Sequence, residues 1–400
     1  MNANPPPRPR FSSRHPPPRR ATARRGRPGG LPRSTTGSAR DAINLRWNYT
    51  NEINLVTGEW TRAGYRAPAC YVTNARPIVH ATFSAAPADL SSVTLLADTD
   101  AAIGGFAATN VAFAGGAASG IALLTKSATT NCILKESFKL AWKAVVSNET
   151  EIVTNTIGRT DGHVFYTILD KPKLPWTDSE IANTNVWVSA LEFVITNACE
   201  GKTTKHTALS AIPTFLFSSN SLTYDTTNGR AHFIVGSSFD LTRYISPNGG
   251  NRLVNCYDQA HGVAFLGATL GIDSTISVMD PFGYLNPVPI VGIGICNNPF
   301  FSSPDATVRN QYCDENDSDR EYFIRHCFVL RGGFVFDACA GPEIGTNTLA
   351  SYVSTVVDVS TTNEQEQVYY DNTTWPPTLK TLQFGNTANC GPISFTLKVK

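Results

Sequence analysis

A chain of 400 residues that is 42% hydrophobic, 10% aromatic and only 16% charged can bury a sizeable core. Single cores seldom grow past about 250–300 residues, so two or three folding units are expected. The formal net charge of +1 hides an asymmetry: residues 1–40 hold ten arginines and no acid, which leaves 23 basic against 32 acidic side chains in the rest.

The arginine-rich head contains "NPPPRPR" and "HPPPRR" and almost nothing aliphatic to bury, so residues 1–40 are expected to be a disordered, polyproline-like tail. Its arginines could release counterions from a polyanion. It has no interleaved aromatics on which bases would stack, which argues against nucleic acid as a partner. No apolar run follows the basic stretch, as a secretory signal would require.

Residues 41–172 read as β structure, and a β-sandwich-like unit is the expected product. "RPIVHATFSA", "FKLAWKAVV" and "GHVFYTILD" alternate apolar with polar residues, and clusters of Gly, Asn, Asp and Pro separate them. Residues 101–124 are uncharged, but Gly, Ala, Thr, Asn and Ser dominate them, a weak membrane span on any transfer scale. They are read as turn-punctuated strands, and no transmembrane span is expected. Sequons stand at Asn48, Asn148, Asn316 and Asn372. The proline-rich "DKPKLPW", residues 170–176, is the expected boundary to a unit covering 173–400.

Beyond that break the period changes. Trp187, Ala190, Leu191, Val194 and Ala198 form one helical stripe, which Gly201 is placed to cap. A second helix is expected from Thr204 to Phe217, opened by the threonine and bent or ended by Pro213. "LTYDTTNGRAHFIV" reads as strand, turn and strand. A third helix starts at Cys256, with Ala260, Val263, Ala264, Gly267 and Leu270 on the same face and small residues between, so that it can seat closely on a sheet. Strands and loops follow, then an acidic stretch, and then "REYFIRHCFVLRGGFVFDACAGP", residues 320–342, as a hairpin.

The placement of Cys256 carries chemistry. A thiol in the first turn of a helix faces unpaired N–H groups and the positive end of the macrodipole, and both stabilise a thiolate and any oxyanion formed beside it. In the hairpin, a two-residue turn at Arg331 and Gly332 would set His326 directly opposite Asp337, with Cβ atoms about 4.5–5.5 Å apart. A turn at Gly332 and Gly333 would make them diagonal neighbours on the same face and oppose Cys339 to His326. Either way an imidazole and a carboxylate share a face. A plain cross-strand polar pair would look the same from the hairpin alone. Together with Cys256, the three residues match the needs of covalent acyl chemistry.

"NCYDQAHGVAFLGATLGID" followed by "HCFVLRGGFVFDACAGP" resembles the transglutaminase-like core of the papain-like cysteine enzyme superfamily. The resemblance spans roughly residues 175–345. It implies an α+β fold in which helices pack on an antiparallel sheet, with Cys256 as nucleophile, His326 as general base and acid, and Asp337 as the orienting carboxylate. It also implies acyl transfer through a thioester, on peptide or glutamine carboxamide, as a peptidase or hydrolase or as a protein-glutamine transferase. The substrate would then be a protein or peptide, and no cofactor or metal is called for. The sequence departs from the family at Cys327, which displaces to Phe328 the aromatic residue that often follows the histidine. No upstream oxyanion donor is placed either: Tyr244, Asn251, Asn255 and the backbone N–H of Cys256 all stand open. The alternative is a catalytically inactive binding or structural protein of the same fold.

Other signals are weaker. His261 lies about 140° round the helix from Cys256 and should not meet the thiol, so a surface or structural role is expected. "DENDSD", residues 314–319, lacks the glycine and glutamate of an EF-hand loop and reads as a solvated acidic loop. P-loop, dinucleotide-binding, HExxH and GxSxG signatures are all missing.

Overall fold

The computed structural model describes residues 42–47, 55–56, 66–85, 88–147, 152–177, 185–219, 221–246, 252–302, 310–315, 317–358, 366–371, 378–393 and 397–400. The arginine-rich head and all four sequon asparagines lie outside the described residues.

The alternating segments of the N-terminal half form strands β1 (Ala69–Val72), β2 (Ile78–Ser84), β3 (Ser92–Asp98), β4 (Gly105–Ala112), β5 (Ala117–Leu124), β6 (Leu134–Ser147) and β7 (Ile152–Ile168). Five make one sheet in the order β1-β7-β6-β3-β4, parallel only between β1 and β7. Strands β2 and β5 pair antiparallel as a second layer. The inward residues of the two layers, among them Ala97, Phe106, Phe138 and Leu140 on one and Val79, Ala81 and Leu123 on the other, share one apolar cluster. Phe83 and Trp142 meet edge to face across it at 5.5 Å. The uncharged stretch 101–124 therefore supplies one strand to each layer. Among the described residues no helix is long and apolar enough to cross a membrane.

The proline-rich 170–176 segment is tied to the helical half: Lys173 N–H donates to Ala268 C=O at 3.0 Å, and the Trp176 indole N–H to Phe265 C=O at 3.0 Å. The apolar core runs on across it, since Cys70, Tyr166 and Ile168 belong to the same cluster as Trp187, Leu191 and Val194.

Helix α1 (Val188–Val194) continues through a wider π turn, Ile195–Cys199, and ends near Gly201, whose φ is +76°. In α2 (Lys205–Ser218) the Thr204 hydroxyl accepts the Thr207 N–H at 3.1 Å, the expected cap. Pro213 does not end this helix. Strand β8 (Thr223–Tyr224) does not pair with Ile234–Val235, as the sequence suggested. It runs parallel to β9 (Leu253–Val254), while Ile234–Val235 pairs with Ser238–Phe239. A short helix α3 (Leu241–Ile245) follows, and then α4 (Cys256–Thr269).

Helix α4 is the centre of this half, buried on every side, with only Tyr257 half-exposed. Helices α1 and α2 cover one flank and a five-stranded antiparallel sheet the other. That sheet has the order β13-β12-β11-β10-β14, from β10 (Thr275–Met279), β11 (His326–Arg331), β12 (Phe334–Asp337), β13 (Glu343–Thr348) and β14 (Cys390–Pro392). Helix α5 (Leu349–Val356) follows β13 directly and was not anticipated.

Small residues on α4 are needed for this close packing. A Cβ on Gly262 would lie 2.6 Å from the Tyr244 hydroxyl and 2.7 Å from its Cε1 and Cζ, and Tyr244 is held between Phe233 and Phe239. Gly262→Ala gains about 1 kcal/mol of helix propensity. It should lose more, because overpacking costs about 1–3 kcal/mol and the displaced Tyr244 hydroxyl would leave its buried acceptor on Gln259. Urea denaturation of this variant should show a net loss of about 2–4 kcal/mol with an unchanged m-value; a gain would mean that the Tyr244 ring moves aside freely.

Candidate active site

Helix α4 begins in a closed capping box. The Asn255 side chain accepts the Asp258 N–H at 3.1 Å, and the Asp258 carboxylate accepts the Asn255 N–H at 3.2 Å. Asp258 also takes the backbone N–H groups of His232 at 2.8 Å and Phe233 at 3.0 Å. Burial pushes its carboxyl up to about 6, against the pull of these donors. The box fixes the first turn, and with it the position of Cys256, which is 4% exposed. Its Sγ lies 4.0 Å from the carbonyl of Arg325, the residue before His326.

The hairpin turns at Gly332 and Gly333, with φ of +59° and +82°. Both central positions of such a turn need positive φ, which two glycines adopt without strain and Arg331 would not. The register therefore pairs Val329 with Phe336 and Arg331 with Phe334, making His326 and Asp337 diagonal neighbours and not directly opposed residues. They still meet: His326 Nε2 is 2.7 Å from Asp337 Oδ2, with both side chains buried.

Asp337 is held from every side. Its Oδ1 accepts the Cys339 N–H at 2.7 Å, and its Oδ2 accepts the Tyr352 hydroxyl at 2.6 Å and the Ala340 N–H at 3.3 Å. The carboxylate engages Nε2 of His326, and Nδ1, buried and without a hydrogen-bond partner among the described residues, is the ring nitrogen left for the Cys256 thiol, whose influence raises the pKa of the imidazole. Burial by itself lowers the His326 pKa. The charge and hydrogen bond of Asp337, joined by Cys256, outweigh it and raise the value to about 10. Phe323 stacks on the ring at 5.1 Å and Phe282 closes on it at 4.7 Å, which seals the imidazole from water. The structure thus brings Cys256, His326 and Asp337 together, on the start of α4 and two adjacent strands.

Two supporting residues escaped the sequence reading. Tyr352 lies on α5, where Leu349, Tyr352, Val353 and Val356 repeat at helical spacing after a Thr348 cap, a signal that was there to be read. Gln259 Nε2 donates to Ala338 C=O at 2.7 Å, tying α4 to the chain just after Asp337, and the Tyr244 hydroxyl donates to Gln259 Oε1. This commits Tyr244, and the capping box commits Asn255, whose Nδ2 also donates to Gly229 C=O at 2.9 Å. Neither is free to serve as an oxyanion donor; Asn251 lies outside the described residues. The Cys256 N–H, in the first turn of α4, has no hydrogen-bond partner among the described residues.

His261 is structural. It is fully buried, its Nδ1 is 2.8 Å from Tyr257 C=O, and it stacks on Phe239 at 5.7 Å. All nine cysteines are free thiols, Cys327 and Cys339 included. Burial, followed by the charges of Cys256 and Asp337, pushes both of these thiols well above the ordinary range, so they are poor nucleophiles. In the acidic 314–319 loop, Asp314, Asp317 and Asp319 are not buried, and no cluster fit to hold a metal occurs among the described residues.

No protein-family model matches the chain, and no curated protein matches it. Among solved structures, the red sea bream transglutaminase is similar at 15% identity and a TM-score of 0.37, over 80% of this chain and 58% of that one. The chain thus spans under two thirds of that neighbour's length.

Proposed function

We propose that the chain is a cysteine-dependent acyl-transfer enzyme of transglutaminase-like type, acting on a peptide or glutamine carboxamide through a thioester. The observation that carries this reading is the buried 2.7 Å contact between His326 and Asp337, with the remaining ring nitrogen unpartnered and a thiol at the mouth of α4 acting on the same ring. The Cys256 thiolate attacks the carbonyl carbon, a C–S bond forms, and the π pair moves to oxygen. As the intermediate collapses, the C–N bond breaks and His326 Nδ1–H protonates the departing amine or ammonia. A thioester remains. Water or a lysine amine then attacks it, gives its proton to Nδ1, and expels the thiolate. Water as acceptor makes a hydrolase, and lysine makes a crosslinking transferase.

Burial of Cys256 and His326 favours a second reading, a binding or structural protein that keeps the fold with a closed site. Alkylation by iodoacetamide separates the two. In an enzyme, Cys256 reacts near pH 7 at least about tenfold faster than an ordinary thiol, and His326→Ala removes the advantage. A Cys256 that reacts no faster than a free thiol sinks the enzymatic reading. Ammonia release against amine incorporation, measured on a glutaminyl peptide, then assigns the acceptor.

A further inference from the structure

An attack at Sγ generates an oxyanion that needs preorganised donors, and the Cys256 N–H supplies one. The second is missing from the residues that the sequence offered, since Tyr244 and Asn255 are spent on structure. Tyr224 answers the description. It lies on β8, directly beside Val254 on β9, two residues before Cys256. Its backbone is pinned on both sides: Tyr224 N–H donates to Val291 C=O at 2.9 Å and Asp225 N–H to Val254 C=O at 2.9 Å. Its ring meets Phe323 at 5.6 Å, the same ring that stacks on His326. Its hydroxyl end reaches the loop at Gly229, where an added Cβ would lie 3.2 Å from it, and the Gly229 carbonyl holds the Asn255 cap.

Tyr224 is only 2% exposed, yet its oxygen finds no hydrogen-bond partner among the described residues, whereas the hydroxyls of Tyr166, Tyr244 and Tyr352 each donate to a side-chain oxygen. The Tyr224 hydroxyl is also absent from the polar atoms sealed away from solvent. Burial, and after it the charge of Cys256 ahead of any other group, keeps the phenol protonated and therefore a donor.

We infer that the Tyr224 hydroxyl, together with the Cys256 N–H, donates to the carbonyl oxygen of the bound acyl group and stabilises the oxyanion. This rests on the acyl-transfer reading above. The test is Tyr224→Phe in the full chain, with three measurements. Turnover of an N-blocked glutaminyl peptide should fall by about 10²–10³ in kcat, with KM nearly unchanged. Capture of Cys256 by a glutamine-analogue peptide aldehyde, whose hemithioacetal oxygen occupies the oxyanion position, should weaken in step. Alkylation by iodoacetamide, which makes a C–S bond with loss of iodide and forms no oxyanion, should keep its rate. Unchanged kcat and aldehyde affinity in the variant overturn the assignment and leave the enzymatic reading intact. Equal losses in alkylation and turnover also overturn it, because they point to a role in shaping the site. A wild-type chain that neither turns over the peptide nor captures the aldehyde overturns the acyl-transfer reading, and the assignment with it.

Discussion

On the proposed acyl-transfer reading, Cys256→Ala should reduce turnover by at least about 10⁴-fold, because the covalent path disappears and only positioning and oxyanion donors remain. The same variant should fold almost normally. The deleted sulfur is small, the capping box is made by Asn255 and Asp258 and does not involve it, and Asp337 keeps its hold on His326. A denaturation midpoint corresponding to a loss of no more than about 1 kcal/mol is expected. Residual activity within tenfold of wild type would remove Cys256 from the chemistry altogether. A large loss of stability with the same loss of activity would make the thiol a packing residue.

Asp337→Asn should cost about as much, roughly 10⁴ in kcat, with nearly identical side-chain volume. The reason lies in the donors that surround the carboxylate. An amide must present its NH₂ group on one side. Facing Cys339 N–H, it meets a donor that cannot reverse, at about 1–3 kcal/mol for the buried mismatch. Facing His326, it forces Nε2 to accept and moves the ring proton to Nδ1, so the neutral imidazole has no free base to offer the acceptor in the second step.

The pH dependence follows from the same pair. His326 titrates in the fold near 10 against an ordinary 6.5, so between those values the native state keeps a proton that the unfolded chain releases. Its contribution to stability is full below about pH 6.5 and is lost as pH rises through 10. Without the charge of Asp337 only Cys256 is left to oppose the lowering effect of burial. The difference in denaturation midpoint between wild type and Asp337→Asn should therefore shrink from pH 6.5 to 10. The alkaline limb of kcat/KM should move from near 10 toward neutrality in the variant. A stability difference that is constant across that window would show that the imidazole is neutral in the native protein.

Much of the site follows from short-range rules. Asn255 and Asp258, three residues apart, spell a capping box, and that local chemistry puts Cys256 at a helix mouth whatever surrounds it. The period of two along β11 and β12 puts His326 and Asp337 on one face in either register, and two glycines with positive φ then choose the diagonal one. The helical stripe of α5 was equally local, and Tyr352 was missed only because the stripe followed a strand without a loop to announce it.

The remaining features depend on segments far apart in the chain. "LTYDTTNGRAHF" carries turn residues that suggest a hairpin, but the Asp225 carboxylate accepts the N–H groups of Thr227, Asn228 and Arg230 and meets the His232 ring at 3.0 Å, which rounds the loop and keeps its two strands apart. Tyr224 is then free to pair with Val254, in parallel, and this places it beside the strand that leads into α4. No periodicity encodes such a partner. The burial of α4 on all sides is of the same kind, because a run of small residues permits close packing without saying how many neighbours will use it. Backbone geometry and capping act over a few residues and can be read along the chain; the sealed imidazole, the four donors on Asp337 and the unpartnered phenol of Tyr224 exist only once distant strands and helices have met.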